Sequence, residues 1–126
     1  MTKKKIVYKS DLPFPFAKAV RAGDFVFVSG QIPFGPDGAI VQGTIETQTR
    51  VVLEAIAKTL REAGCTMADV VKNTIWLEDT RDFAGFNKVY AEFFAEDPPA
   101  RATVRSDLML DAKIEIEALA YKPLGD

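Results

Sequence analysis

The chain has 126 residues, enough for one domain spanning 1–126 and too few for two separate cores. A hydrophobic share of 48% with dispersed charge excludes a disordered polyelectrolyte, and a net charge of −2 argues against a nucleic-acid surface. With no histidine and one cysteine, Cys65, the chain can build no His-assisted nucleophile, no His-ligated zinc site and no internal disulfide.

In chain order, Lys3-Lys4-Lys5 reads as a solvated terminus. The residues that follow lack the apolar core of a signal peptide, and no run approaches the ~20 apolar residues of a membrane span. A cytoplasmic protein with no membrane partner is expected. Ile6–Tyr8 is a brief strand candidate, and the two prolines of Asp11-Leu-Pro-Phe-Pro-Phe16 favour an extended segment. Arg21–Asp24 reads as a turn before the strongly β-forming run Phe25–Val28, which Ser29-Gly30 closes. Pro33–Gly38 carries a Pro-Asp-Gly turn and loops out before Ala39-Ile-Val41.

Thr44 then suits an N-cap, with Glu46 complementing the positive helix end. Ile45, Val52, Ile56, Leu60 and Ala63 keep helical spacing, and Gly64 sits where a helix stop is wanted. After a capping-like turn at Thr66–Asp69, Val70–Leu77 is the next strand. A second helix starts near Asp79 or Thr80, carries the stripe Phe83, Phe86, Tyr90 and Phe93, and ends before Pro98-Pro99. Ala102 to Arg105 or Ser106, and Ile114–Tyr121, are the last strands.

The order β-β-α-β-α-β-β predicts an α+β fold, one sheet with two helices on one face. Yet the strands are apolar on both sides, with Phe25 and Phe27 against Val26 and Val28, and Leu119 and Tyr121 against Ala118 and Ala120. Apolar patches of that size are rare on monomers, so we expect a homo-oligomer packed sheet against sheet.

The candidate chemistry lies in Arg101 and Glu115, a guanidinium and a carboxylate each set into an apolar strand. Arginine grips carboxylates through two parallel hydrogen bonds and stays charged; from position alone, a rim salt bridge is the equal alternative. Glu115 alternates with Ile114 and Ile116, so it shares a face with Glu117 opposite the helices. That face is solvated unless an oligomer covers it. If the last two strands form a hairpin, a tip near Leu108 sets Arg101 opposite Glu115, and a tip near Leu110 shifts it toward Leu119.

Ser29-Gly-Gln-Ile-Pro33, the helix Asp82-Phe-Ala … Asn87 … Tyr90 … Phe93-Phe94, Pro99-Ala-Arg101 and Lys113-Ile-Glu-Ile-Glu-Ala118 together resemble the Rid/YjgF family of enamine/imine deaminases. The resemblance runs in one order over nearly the whole chain. It implies a chorismate-mutase-like mixed sheet, a homotrimer with clefts between subunits, a small carboxylate substrate, and no cofactor, metal or nucleic-acid partner. It also implies roles: Arg101 on the substrate carboxylate, Glu115 on the water, and Ser29, Gly30 and Asn87 lining the cleft. The implied reaction is hydrolysis of 2-aminoacrylate-type enamines to 2-keto acids and ammonia. Phe16 stands where the family usually has a tyrosine and Thr103 where it often has a cysteine, and Ser106–Ala112 is about one residue short. Both replaced positions are expected to touch substrate. Thr103 with Ala120-Tyr-Lys-Pro123 is also similar to the branch that deaminates 2-aminomuconate. A keto-acid-binding regulatory protein is the alternative from another class. The ribonuclease activity linked to parts of the family fits poorly with a chain lacking histidine and net positive charge. Cys65 reads as a structural small residue, Trp76 as core or interface, and Asp79 and Asp82 as ordinary helix-start carboxylates.

Overall fold

Two amphipathic helices cover one face of a six-stranded sheet in this computed structural model, which describes residues 4–125. Lys3, counted above in the terminal lysine run, lies outside them. The strands are β1 (Lys5–Lys9), β2 (Ala17–Ala22), β3 (Phe25–Gln31), β4 (Val70–Leu77), β5 (Ala100–Arg105) and β6 (Ile114–Tyr121). Their order across the sheet is β1-β2-β3-β6-β4-β5, and β5 runs parallel to β4 while every other neighbouring pair is antiparallel.

Helix α1 (Ile45–Glu62) begins where its cap predicts: the Thr44 hydroxyl accepts from the Thr47 backbone N–H at 3.2 Å. It ends at Gly64, whose φ of +81° lies in the left-handed region that glycine adopts without strain. Helix α2 (Phe83–Phe94) follows a 3₁₀ turn at Thr80–Asp82, so it starts a few residues later than expected. There Asp79 accepts from both the backbone and the guanidinium of Arg81, which holds its carboxyl down at about 2. An exposed two-pronged pair, Arg50–Glu92, bridges the helices and adds little to stability.

The core forms between α1 and α2 and the buried side of β3, β4 and β6: Leu53, Ile56, Leu60 and Phe86 against Val26, Val28, Ile75, Ile114 and Ile116. The other side is uncovered in a single chain. Phe25, Phe27, Val104 and Tyr121 each remain 40–50% exposed there, as the two-sided apolar pattern required.

One expectation needs correction: the turn read at Arg21–Asp24 is narrower, because Arg21 and Ala22 end strand β2. Ala39-Ile-Val41 is not a sheet strand; Ile40 makes only an isolated bridge to Phe34. Ala17–Ala22, in contrast, is a full strand, although its alanines, lysine and arginine carry little β preference. Antiparallel pairing with both β1 and β3 makes it one.

Arg21 within that strand is 4% exposed. Its guanidinium donates to the carbonyls of Gly23 at 3.1 Å, Lys122 at 2.8 Å and Ala63 at 3.2 Å, and to the Cys65 sulfur at 3.8 Å. No carboxylate pairs with it among the described residues. The Ala63 carbonyl belongs to the end of α1, where backbone acceptors lack helical partners, so the charge ties helix, turn and C-terminal segment together. Cys65 is buried in the same knot, and desolvation pushes its thiol up. Replacing Arg21 by methionine keeps most of the volume but strands these acceptors; urea unfolding at fixed protein concentration should show a loss of roughly 2–4 kcal/mol. Unchanged stability would contradict this reading.

Candidate active site

The path from β4 through α2 to β5 is a crossover, so β5 returns parallel to β4 rather than hairpinning with β6. The expected pairing of Arg101 with Glu115 or Leu119 is therefore wrong. β6 enters the sheet between β3 and β4, and Arg101 lies opposite Asn73 while Glu115 lies opposite Trp76. Along β4, the buried Asn73, Ile75 and Leu77 alternate with the half-buried Thr74 and Trp76. Paired residues share a face, so Arg101 projects on the helix side and Glu115 on the open side. Within one chain they do not meet.

The Arg101 half rests on α2. Its guanidinium carbon lies 4.8 Å from the Tyr90 ring centroid, 5.1 Å from Phe86 and 5.8 Å from Phe83. Three ring faces attract and orient a cation without neutralising it. Arg101 makes no salt bridge among the described residues, so the rim ion pair is not what holds it. Tyr90 is fixed in turn: the Asn73 side-chain amide donates to its hydroxyl at 2.9 Å, in a buried setting. Burial raises the Tyr90 phenol, and the Asn73 hydrogen bond and the Arg101 charge oppose that rise. Thr103 lies on the same side of β5 as Arg101, and its hydroxyl is buried with no hydrogen-bond partner among the described residues. Asn87 sits half-buried on α2, one turn beyond Phe83.

The Glu115 half is a cleft of about 430 Å³ at the far end of β3, within the size range of small-ligand sites. Phe16, Gly30, Gln31, Ile32, Lys58 and Glu115 are among its walls. The cleft exists because β3 bulges: its register with β6 slips between Val28 and Gln31, turning Ser29 and Gly30 out of the regular ladder. The Ser29 hydroxyl donates to the Ala17 carbonyl and pins the bulge to β2. At Gly30 a Cβ atom would collide with the Glu115 carboxylate, so the absence of a side chain is what leaves the carboxylate in that place. Burial pushes the Glu115 carboxyl up, and the neighbouring Glu117 charge pushes the same way.

Of the predicted residues, Arg101 and Thr103 share one side of β5, and Phe16, Gly30 and Glu115 share the cleft; Ser29 lines a separate hollow with Phe27, Thr74 and Glu117, and Asn87 lies on α2. The supports of Arg101 were not read from the sequence. Phe83, Phe86 and Tyr90 looked like an ordinary apolar stripe, and Asn73 was one amide inside a strand.

This fold recurs in known proteins, and the sequence has relatives. The family model described as Endoribonuclease L-PSP matches residues 11–122. A RutC family protein of Pyrococcus horikoshii is 48% identical over 124 residues, covering 94% of this chain and 98% of its own length. The chain belongs to the Rid/YjgF family. The chloroplastic Reactive Intermediate Deaminase A of Arabidopsis thaliana is 38% identical over 123 residues, 94% of this Rid chain and 66% of that one. Among solved structures, a protein of the conserved Rid family from Yersinia pestis superposes with a TM-score of 0.88 at 35% identity, covering 93% of this chain and 98% of that one. The close approach at Gly30 gives a direct test of the Rid cleft. Gly30→Ala should drive the Glu115 carboxylate out of its position in a crystal structure of the variant, and an unmoved carboxylate would contradict the geometry.

Proposed function

We propose that the protein hydrolyses small enamine and imine carboxylates of the 2-aminoacrylate type to 2-keto acids and ammonia, in clefts closed between copies of the chain. The observation that carries this reading is the unpaired Arg101 guanidinium, held on three rings, together with a half-buried Glu115 that its own chain cannot bring to it. A homotrimer that seats the β5 edge of one copy against the open sheet face of the next would cover Phe25, Phe27, Val104 and Tyr121 and set Arg101 of the first beside Glu115 of the second. Membership in the Rid family and the name of the plant relative support the same reading.

In this mechanism Arg101 takes the substrate carboxylate through two parallel hydrogen bonds. The enamine takes a proton from solvent at its terminal carbon and becomes the iminium, whose C=N carbon is the electrophile. Ionised Glu115 accepts a proton as water adds its oxygen to that carbon. The same carboxyl returns the proton to nitrogen; as the C–N bond breaks the hydroxyl gives up its own proton to solvent, so ammonia departs and the carbonyl of the keto acid forms. Thr103 and Asn87 flank the anchored carboxylate, and Phe16 and Gly30 wall the water side. Positioning and one general base supply the acceleration, the base on the order of 10²–10⁴-fold. A binding-only role for the same pocket draws on one observation, that Phe16 brings a ring and no hydroxyl to the cleft. Assay with enzymatically generated 2-aminoacrylate separates the two, since binding of 2-ketobutyrate with no rate gain would favour sensing.

Arg101→Ala should lower turnover by roughly 100-fold or more while leaving the oligomer intact by size-exclusion chromatography; retained activity would refute the assignment. Glu115→Gln should lower kcat far more than it weakens 2-ketobutyrate binding. The pH profile follows from the raised Glu115 carboxyl. As the general base it must be ionised, so the rate should fall as pH drops through a value above that of an ordinary glutamate. That acid limb should vanish in the Glu115→Gln residual activity, and a limb that persists there would assign the base elsewhere.

A further inference from the structure

Asn73 is 1% exposed, and its two polar atoms are in different situations. The amide nitrogen is spent on the Tyr90 hydroxyl at 2.9 Å. The amide oxygen is buried with no partner among the described residues. A buried orphan acceptor is unfavourable, and native structures hold few of them. Asn73 also stands directly across from Arg101 in the β4–β5 register, so the two side chains leave neighbouring strands, about 4.8 Å apart, on the same face. The Tyr90 ring that Asn73 fixes is the nearest of the three beneath the guanidinium.

We propose that Asn73 is a positioning residue for Arg101: through Tyr90 it holds the guanidinium in place, and its neutral amide oxygen, across from Arg101 in the register, leaves that charge unspent. The neutrality of the amide is the essential property. An aspartate has nearly the same shape, but its carboxylate would form a charge-assisted pair with Arg101 and occupy the donors a substrate carboxylate needs. A leucine would leave the Tyr90 hydroxyl unanchored and remove the acceptor beside the cation. The inference rests on the reading of Arg101 as the carboxylate anchor, and it concerns binding of the anion rather than the later water chemistry.

The test measures 2-ketobutyrate affinity by calorimetry, KM and kcat with 2-aminoacrylate, and the thermal midpoint, for the full-length oligomer. Asn73→Asp is expected to weaken 2-ketobutyrate binding at least tenfold and to raise KM in step, with a thermal midpoint equal to or above that of the unmodified protein. A merely structural role for Asn73 cannot weaken anion binding without lowering the midpoint. Asn73→Leu and Tyr90→Phe should each raise Kd several-fold, and the double variant should be little worse than the weaker-binding single one, since both break one link. Wild-type affinity in Asn73→Asp, or additive losses in the double variant, would overturn the proposal. Should the unmodified protein bind 2-ketobutyrate but turn over no imine, the deaminase reading falls and the Asn73 comparison still stands on affinity. Should it bind no carboxylate at all, both fall.

Discussion

A guanidinium held on aromatic faces, with no carboxylate against it among the described residues, is the feature on which the rest of this structure turns. Cations inside proteins usually acquire a counter-ion, and Arg21 shows the other solution in the same molecule. There, backbone carbonyls at a helix end absorb the charge and convert it into structure. Arg101 is treated differently. Rings of α2 orient it by their quadrupoles, which cost the cation none of its hydrogen-bond donors. The first arginine is a staple, and in the proposed function the second is the anion receptor.

The sheet order then imposes a constraint. Because β6 inserts between β3 and β4, β5 is left as an edge strand, and Arg101 and Glu115 point to opposite faces. The face that carries Glu115 is also the one left apolar and uncovered. The bulge in β3 opens a cleft beside it, and the absence of a side chain at Gly30 leaves room for its carboxylate. Seating the β5 edge of another copy on that face would bury the exposed aromatics and supply the missing cation in one step, which is why we place the proposed reaction between chains.

Local features of the fold were legible in the sequence. Thr44 and Gly64 bracket α1 because capping chemistry is decided within a few residues. β4 and β6 match their expected spans, being bounded by turns and rich in β-branched residues. What failed was non-local. β2 has no propensity signal and exists through its two neighbours. The β5–β6 register was sought in a hairpin that the crossover replaces, so the faces of Arg101 and Glu115 could not be compared beforehand. Residue types at the site were readable in advance, from the motifs. The supports of Arg101 were not, since an aromatic stripe and a single strand amide acquire their meaning only when α2 packs over β5.

The central claim is that each site takes its cation from one copy and its carboxylate from another. Mixing Arg101→Ala and Glu115→Gln proteins, each inactive alone, under conditions that let subunits exchange tests it most directly. In a closed cyclic assembly of equal parts, about a quarter of the sites receive an intact Arg101 from one variant and an intact Glu115 from the other. Activity returning to roughly that fraction of the unmodified protein is the predicted result. A mixture that exchanges subunits and stays inactive would contradict the account.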